Sequence, residues 1–164
     1  RAGGRSRRGE GVRVDGLKPL LEIVLDGTPK GKGRPRFSRA SGRAFTPAAT
    51  RGYEAVLRYA AQCEIGEAPP CSSPLIVEIE ARMPVPKSWP KKRREAALSG
   101  AAPPTGKPDV DNLLKTIDAL NGVVWVDDAQ ISDARVYKVF SEKPALIIRI
   151  FEWQQPRGDG NVFA

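Results

Sequence analysis

Between Lys107 and Asp128 the chain carries five aspartates and two lysines. Lys107-Pro108-Asp109-Val110-Asp111-Asn112 has the marks of a helix start, because Pro108 cannot extend a helix backwards and Asp109 suits the N-cap. Residues two apart diverge inside a helix. The N-cap residue is still extended, so the carboxylates of Asp109 and Asp111 can converge. Asp127-Asp128 follows the apolar run Val123-Val124-Trp125-Val126 and can supply a third oxygen ligand. Alternation along a strand sends these two side chains to opposite faces, and the residues alone do not choose between them. A few carboxylate oxygens completed by water and a substrate phosphate suit Mg²⁺. Lys115, four residues after Asp111, lies one turn along the same face and can offset charge on a reacting phosphate. Each feature also has a plainer use. Asp109 serves as a cap alone, Asp111 and Lys115 as an i,i+4 pair worth about 0.2–0.5 kcal/mol, and Asp127-Asp128 as a solvated turn.

This acidic segment belongs to a cationic protein. The 164 residues hold 27 Lys and Arg against 19 Asp and Glu, a net charge of +8 with pI near 9.8. Such a surplus favours a polyanionic partner. From Lys30 to Arg51 there are seven bases and no acid: Lys30, Lys32, Arg34, Arg36, Arg39, Arg43 and Arg51. A second run, Lys91-Lys92-Arg93-Arg94, lies in a Pro-rich stretch, and Lys107 precedes the first aspartate. These twelve cations are the candidate contacts to a nucleic-acid backbone, with a solvated loop as the plainer use of each run. Carboxylates facing phosphate repel it, so aspartates kept inside a phosphate-binding surface imply a cation between them. Lys30 to Arg36 is not a P-loop: Gly27 and Gly31 have three residues between them rather than four, and Gly33 follows Lys32. Instead, glycine permits close backbone approach and arginine grips phosphate bidentately. Trp89, Phe37 and Tyr53 lie near bases and can stack on exposed nucleobases, whereas Trp125 and Phe140 read as core.

The chain has no histidine, which excludes His-ligated zinc, Ser-His-Asp and Cys-His hydrolysis, and a histidine general base. No apolar run approaches the roughly 18 residues of a membrane span. The N-terminal RAGGRSRRGEGVRV lacks the apolar core of a secretory signal. With Cys63 and Cys71 isolated, the expectation is a cytoplasmic protein with reduced thiols.

Forty per cent hydrophobic and 28% charged residues in this length describe one globular domain. Residues 1–16, with five Arg and five Gly, read as a disordered basic arm, 17–153 as the domain and 154–164 as a flexible tail. Alternation predicts a strand over 20–26, and Phe37 and Phe45 around Ser41-Gly42 predict a hairpin. A helix is expected from Thr46 as N-cap and Pro47 as first residue to Gly66, burying Tyr53, Val56, Leu57, Ala60 and Cys63. Residues 75–83 alternate as a half-buried strand, with Leu75, Val77, Ile79, Ala81 and Met83 inward. The basic Pro-rich insertion 84–106 carries a short helix from Pro90 to Ser99, and 109–121 form a helix with Val110, Leu113, Leu114, Ile117 and Leu120 in one stripe. Strands near 123–127, 130–141 and 145–152 complete an α+β fold with a mixed or antiparallel sheet.

Gly31-Lys32-Gly33-Arg34-Pro35-Arg36-Phe37, Thr50-Arg51-Gly52-Tyr53-Glu54, Lys107 to Lys115, Asp118-Ala119-Leu120-Asn121-Gly122 and Trp125 to Ile131 together resemble the RusA family of Holliday junction resolvases, common in phages and prophages. The likeness runs from about residue 22 to 151 and is most specific over 107–131. It implies a single domain with its sheet packed against two main helices, and a homodimer that nicks four-way DNA junctions symmetrically using Mg²⁺, with Mn²⁺ as a substitute. The family's metal-binding catalytic carboxylates fall on Asp109, Asp111 and Asp128, and its essential lysine on Lys115; the family pattern thus favours Asp128 over Asp127. The cytoplasm of a bacterial or phage-infected cell is the implied setting. The chain departs from the shortest members by the 84–106 insertion, and residues 1–16 have no counterpart. Two other functions compete: a non-catalytic protein that binds DNA junctions, and a Mg²⁺-dependent phosphatase or nucleotide hydrolase, which the +8 charge disfavours.

Overall fold

A computed structural model of the chain describes residue 14 and residues 16–154. In chain order the elements are β1 (Leu21–Asp26), β2 (Arg36–Phe37), β3 (Ala44–Phe45), α1 (Ala48–Ile65), β4 (Leu75–Pro84), α2 (Lys91–Leu98), α3 (Val110–Leu114), 3-10 helices over Lys115–Leu120 and Asp128–Gln130, β5 (Ile131–Ser141) and β6 (Ala145–Glu152). A four-stranded sheet has the order β1-β6-β4-β5; β4 and β5 are parallel and the other neighbours antiparallel. The expected α+β class with a mixed sheet is therefore present. The small hairpin β2-β3 also forms, with Gly42 at positive φ in its turn.

The core lies on one face of the sheet. Ile23 from β1, alternate residues of β4 and Leu146, Ile148 and Ile150 from β6 pack with Leu57 and Ala61 of α1 and with Leu113, Ile117 and Leu120. Gly66 at positive φ ends α1, as its sequence position predicts. The start differs: Pro47 takes the N-cap, Ala48 is the first helical residue, and Thr46 provides no cap. Val56 and Cys63 are exposed, while Tyr53, Leu57, Ala61 and Ile65 face inward. The inner stripe is thus rotated by about one position from the expected one, because α1 must reach both β1 and the 3-10 turn after α3.

Three further expectations are corrected. The single helix expected over 109–121 is α for five residues and 3-10 for the next six, and Val110 points to solvent. No strand forms at 123–127 among the described residues. That segment is an irregular loop in which Trp125 makes isolated bridges to Cys71 and Asn121, with its indole Nε1 donating to Asn121 Oδ1 at 2.5 Å. Third, the outer face of β4 is more covered than expected: Ile76 is buried with Val14 and Phe151, and Glu80 is also buried, while Glu78 and Arg82 stay half-buried. The expected arm and tail fall outside the described residues apart from Val14, Gly16 and Gln154, and Val14 is buried with Ile76 and Phe151 on the sheet's second face.

That second face is held by charge. Glu22, Arg149, Glu78 and Arg135 stand side by side across the four strands. Arg149 donates to Glu22 at 2.7 Å and to Glu78 and Glu80 at 2.9 Å each, and Arg82 donates to Glu80 at 2.7 Å. Glu80 is 9% exposed. Burial raises its pKa, but the hydrogen bonds from Arg82 and Arg149 outweigh this and leave it below the ordinary glutamate value. Its ion pairs therefore stabilise the fold above the ordinary pKa and lose that contribution as pH falls through the lowered one. Replacement Arg149→Leu should cost about 2–4 kcal/mol at neutral pH, less than for a fully buried pair because the guanidinium is partly hydrated. The loss should shrink in strong acid, where protonated glutamates need no cation; urea unfolding of both proteins at the two pH values measures it, and an equal loss at both would disprove an ionic cause.

Candidate active site

Asp109 occupies the N-cap of α3 in extended conformation, at φ −72° and ψ 153°, and its carbonyl accepts the first helical bond from the Leu113 amide at 3.0 Å. Its carboxylate makes no capping bond, so the side chain is not occupied as a helix cap. Asp111 lies in the first turn, exposed, with Lys115 Nζ 3.2 Å from its Oδ2. The hydrogen bond and charge of Lys115 hold the Asp111 carboxyl below its ordinary pKa. Both partners are well exposed, so the pair itself adds little to stability.

A tight approach fixes the basic loop to this turn. A Cβ on Gly31 would stand 2.8 Å from Asn112 Cβ and 2.9 Å from Pro108 Cβ, and the Lys32 amide donates to the Asn112 carbonyl at 2.8 Å. Only glycine permits this contact. Lys30, Lys32, Arg34 and Lys107 consequently line one cleft of about 640 Å³ with Asp109 and Asn112. Lys32 is also a latch: its ammonium lies 3.0 Å from Asp118 and 3.4 Å from Glu54, tying the loop to α1 and to the 3-10 turn. The hydrogen bond to Asp118 is the main reason its pKa is raised. Arg36, Arg39, Arg43 and Arg51 are exposed on the hairpin and the start of α1, outside that cleft. Lys91, Lys92, Arg93 and Arg94 form the first turn of α2, where a helix dipole favours anions rather than cations.

Lys138, which sequence inspection did not single out, holds the other side of the turn. Its Nζ donates to the carbonyl oxygens of Gly106 at 2.7 Å and Pro108 at 3.2 Å. The signal was present: Lys138 has the strand parity of the half-buried Val136 and Phe140, where a charge is unexpected. Arg58 of α1 likewise donates to the carbonyls of Ala119 and Asn121 and seats the end of the 3-10 turn.

The two adjacent aspartates Asp127 and Asp128 are separated by a turn, not by strand alternation. Asp127 caps the turn 128–130: its carboxylate accepts from the Ala129 amide at 2.8 Å, and Gln130 Oε1 accepts from the Asp127 amide at 2.9 Å. Gln130 in turn donates to the carbonyls of Cys71 and Ser73, fixing the turn against the start of β4. Asp128 is exposed and makes no side-chain hydrogen bond among the described residues. Among those residues no group of three or more Asp, Glu, Cys or His side chains is arranged to hold a metal ion. Asp109, Asp111 and Asp128 therefore form no ready three-carboxylate cage. The donor chemistry still fits Mg²⁺: the three side chains are exposed carboxylates, Asp109 lines the basic cleft, and this ion retains several waters and takes one or two carboxylates plus phosphate oxygens.

Two outcomes follow from this geometry. Gly31→Ala should lose about 1–3 kcal/mol through overpacking against Pro108 and Asn112, whereas Gly52→Ala, open on the surface of α1, should gain about 1 kcal/mol. Thermal unfolding of both variants tests the contact, and an undiminished melting temperature for Gly31→Ala would exclude it. Lys115→Met should let the Asp111 carboxyl titrate higher than in the wild type, because its main stabilising donor is gone. A carboxylate NMR titration reads this directly, and an unmoved Asp111 would show that the pair is absent in solution.

Residues 26–151 match the family described as RusA, endodeoxyribonuclease RusA. The chain is also 34% identical over 137 residues to a Bacillus subtilis (strain 168) protein named "Uncharacterized protein YqaN", a match covering 80% of this chain and 96% of that relative. The matched span contains every element from α1 to β5 together with the basic loop and both aspartate-bearing turns. The chain thus belongs to the RusA family of endodeoxyribonucleases.

Proposed function

We propose that the protein is a structure-specific endodeoxyribonuclease that resolves Holliday junctions by Mg²⁺-dependent phosphodiester hydrolysis, acting as a homodimer. One observation supports this above the others: the N-cap aspartate Asp109, free of capping, lies in the same cleft as Lys30, Lys32, Arg34 and Lys107. A cleft that binds phosphate and also presents a carboxylate is electrostatically frustrated unless a divalent cation joins them. Asp109, Asp111 and Asp128 would hold that ion, Mg²⁺ or Mn²⁺. When bound, it supplies Lewis-acid polarisation of the phosphodiester and makes the attacking water more acidic.

The chain's own groups have the remaining tasks. Lys115 leaves Asp111 and offsets negative charge that builds on the phosphate oxygens. Water attacks in line, its oxygen bonds to phosphorus, and the bond from phosphorus to the 3′ oxygen breaks, leaving a 5′-phosphate and a 3′-hydroxyl. With no histidine in the chain, the proton passes to solvent. The exposed arginines of the hairpin and the cations of α2 hold the flanking duplex arms. A two-fold dimer matches a substrate with two equivalent strands to cut. A bacterial or phage-infected cytoplasm is the proposed setting.

A synthetic four-way junction and a matched linear duplex, each incubated with and without Mg²⁺, test this. The wild type should nick the junction in preference to the duplex and only with the ion. Asp109→Asn should lower the rate by at least about a hundredfold while still binding DNA. If Asp109→Asn cuts as fast as the wild type, the proposed chemistry is wrong. Tight binding with no cleavage in Mg²⁺ or Mn²⁺ would instead identify a non-catalytic junction-binding protein. Salt dependence separates both from a small-phosphate hydrolase: with 6–10 phosphate contacts, affinity should fall roughly 10³–10⁵-fold between 50 and 200 mM salt.

A further inference from the structure

The insertion 84–106 does more than add positive charge. It folds over the ends of β4 and β5 and forms a half-open cavity of about 300 Å³, whose walls include Met83, Pro86, Trp89, Pro103, Pro104 and Phe140. Trp89 stands nearly edge-on to Phe140, with ring centroids 5.3 Å apart and planes at 71°. The guanidinium of Arg93 lies 3.7 Å from the centre of the Trp89 ring. Among the described residues, Arg93 and Lys107 are the charged groups lining the cavity, and no carboxylate lines it. Lys107 also lines the cleft that holds Asp109, so the aromatic cavity and the phosphate cleft meet at one side chain.

The occupant must then have a flat, apolar face and an attached anionic chain. A nucleobase with its phosphates has that form: the ring stacks on the layer made by the Arg93 guanidinium and the Trp89 ring, and Lys107 takes the backbone. The volume is at the lower limit of small-ligand pockets, roughly 300–1,000 Å³, and accommodates a single base. Bases beside a crossover stay paired, but continuous stacking is broken where the strands exchange, so they cost less to unstack than bases within a duplex.

We propose that this cavity receives one unstacked nucleobase of the DNA substrate, next to the phosphate bound in the Asp109 cleft, and so selects where the chain engages a junction. The proposal rests on the junction-nuclease function. It assigns Trp89 and Arg93 to base recognition rather than to chemistry.

Binding of four-way junctions carrying a single abasic site at each position flanking the crossover tests it. The full chain is titrated without divalent ions, so that no strand is cut, using wild type, Trp89→Ala and Ala102→Phe; Ala102 also lines the cavity, and phenylalanine there fills it. At one position the abasic site should weaken wild-type binding roughly 5- to 100-fold, the loss of one stacked base. Both variants should bind the intact junction more weakly by a similar factor and lose nothing further at that abasic site, the non-additivity expected of partners in direct contact. Ala102→Phe removes no packing and carries the comparison if Trp89→Ala is unfolded. Indifference of the wild type to every abasic position would overturn the proposal. So would losses that multiply, which would reduce Trp89 to a prop for the insertion. A protein that shows the coupling but never nicks DNA would refute the nuclease function and leave the pocket standing. One that nicks junctions without any base dependence would refute the pocket alone.

Discussion

Lys138 donates to the carbonyl oxygens of Gly106 and Pro108 from one side, and Gly31 presses against Pro108 and Asn112 from the other. The backbone that carries Asp109 is clamped between the edge strand β5 and the basic loop that follows β1. Neither contact uses the carboxylate itself. Lys138 binds main-chain carbonyls and Gly31 packs against the Pro108 and Asn112 Cβ atoms, which fixes where the helix starts and leaves the Asp109 side chain available for a ligand. Lys32 extends the clamp by pairing with Asp118 and Glu54, which ties the phosphate-facing loop to α1 and to the 3-10 turn.

Charge is segregated by that scaffold. The sheet's second face balances its arginines and glutamates across strands, and Arg149 is raised above its ordinary pKa by Glu22, Glu80 and Glu78 despite the opposing effect of burial. Those cations are consumed by the fold. The net positive charge available to a partner therefore comes from the basic loop, the hairpin, the first turn of α2 and Lys107. Four successive cations in the first turn of α2 oppose the helix dipole. A local cost of that kind fits a surface that meets phosphate.

The adjacent aspartates 127 and 128 show how a fold divides identical chemistry. Asp127 is committed to its own turn, and Gln130 locks that turn to the chain before β4. Asp128 is left with its carboxylate in water. Their exposure is alike; their hydrogen bonds distinguish them.

Much of this was legible in the residues. The α+β class, the hairpin, the end of α1 at Gly66, the helix in the insertion and the last two strands follow from local punctuation and alternation, which need no tertiary information. The grouping of Asp109, Asp111 and Lys115 at a helix start follows from Pro108 and from spacing. Other features depended on neighbours far along the chain. The cover on the outer face of β4 comes from Val14, Phe151 and Arg149, the inner stripe of α1 is set by what it must touch, and Trp125 is held in its loop by its bridges to Cys71 and Asn121. Lys138 reaches the Asp109 turn only across 30 residues of chain. Residue type and spacing therefore determined which groups are able to do chemistry. The tertiary structure alone decided which of them are left unpaired to do it, since hydrogen bonds and ion pairs between distant segments consume some charges and spare others.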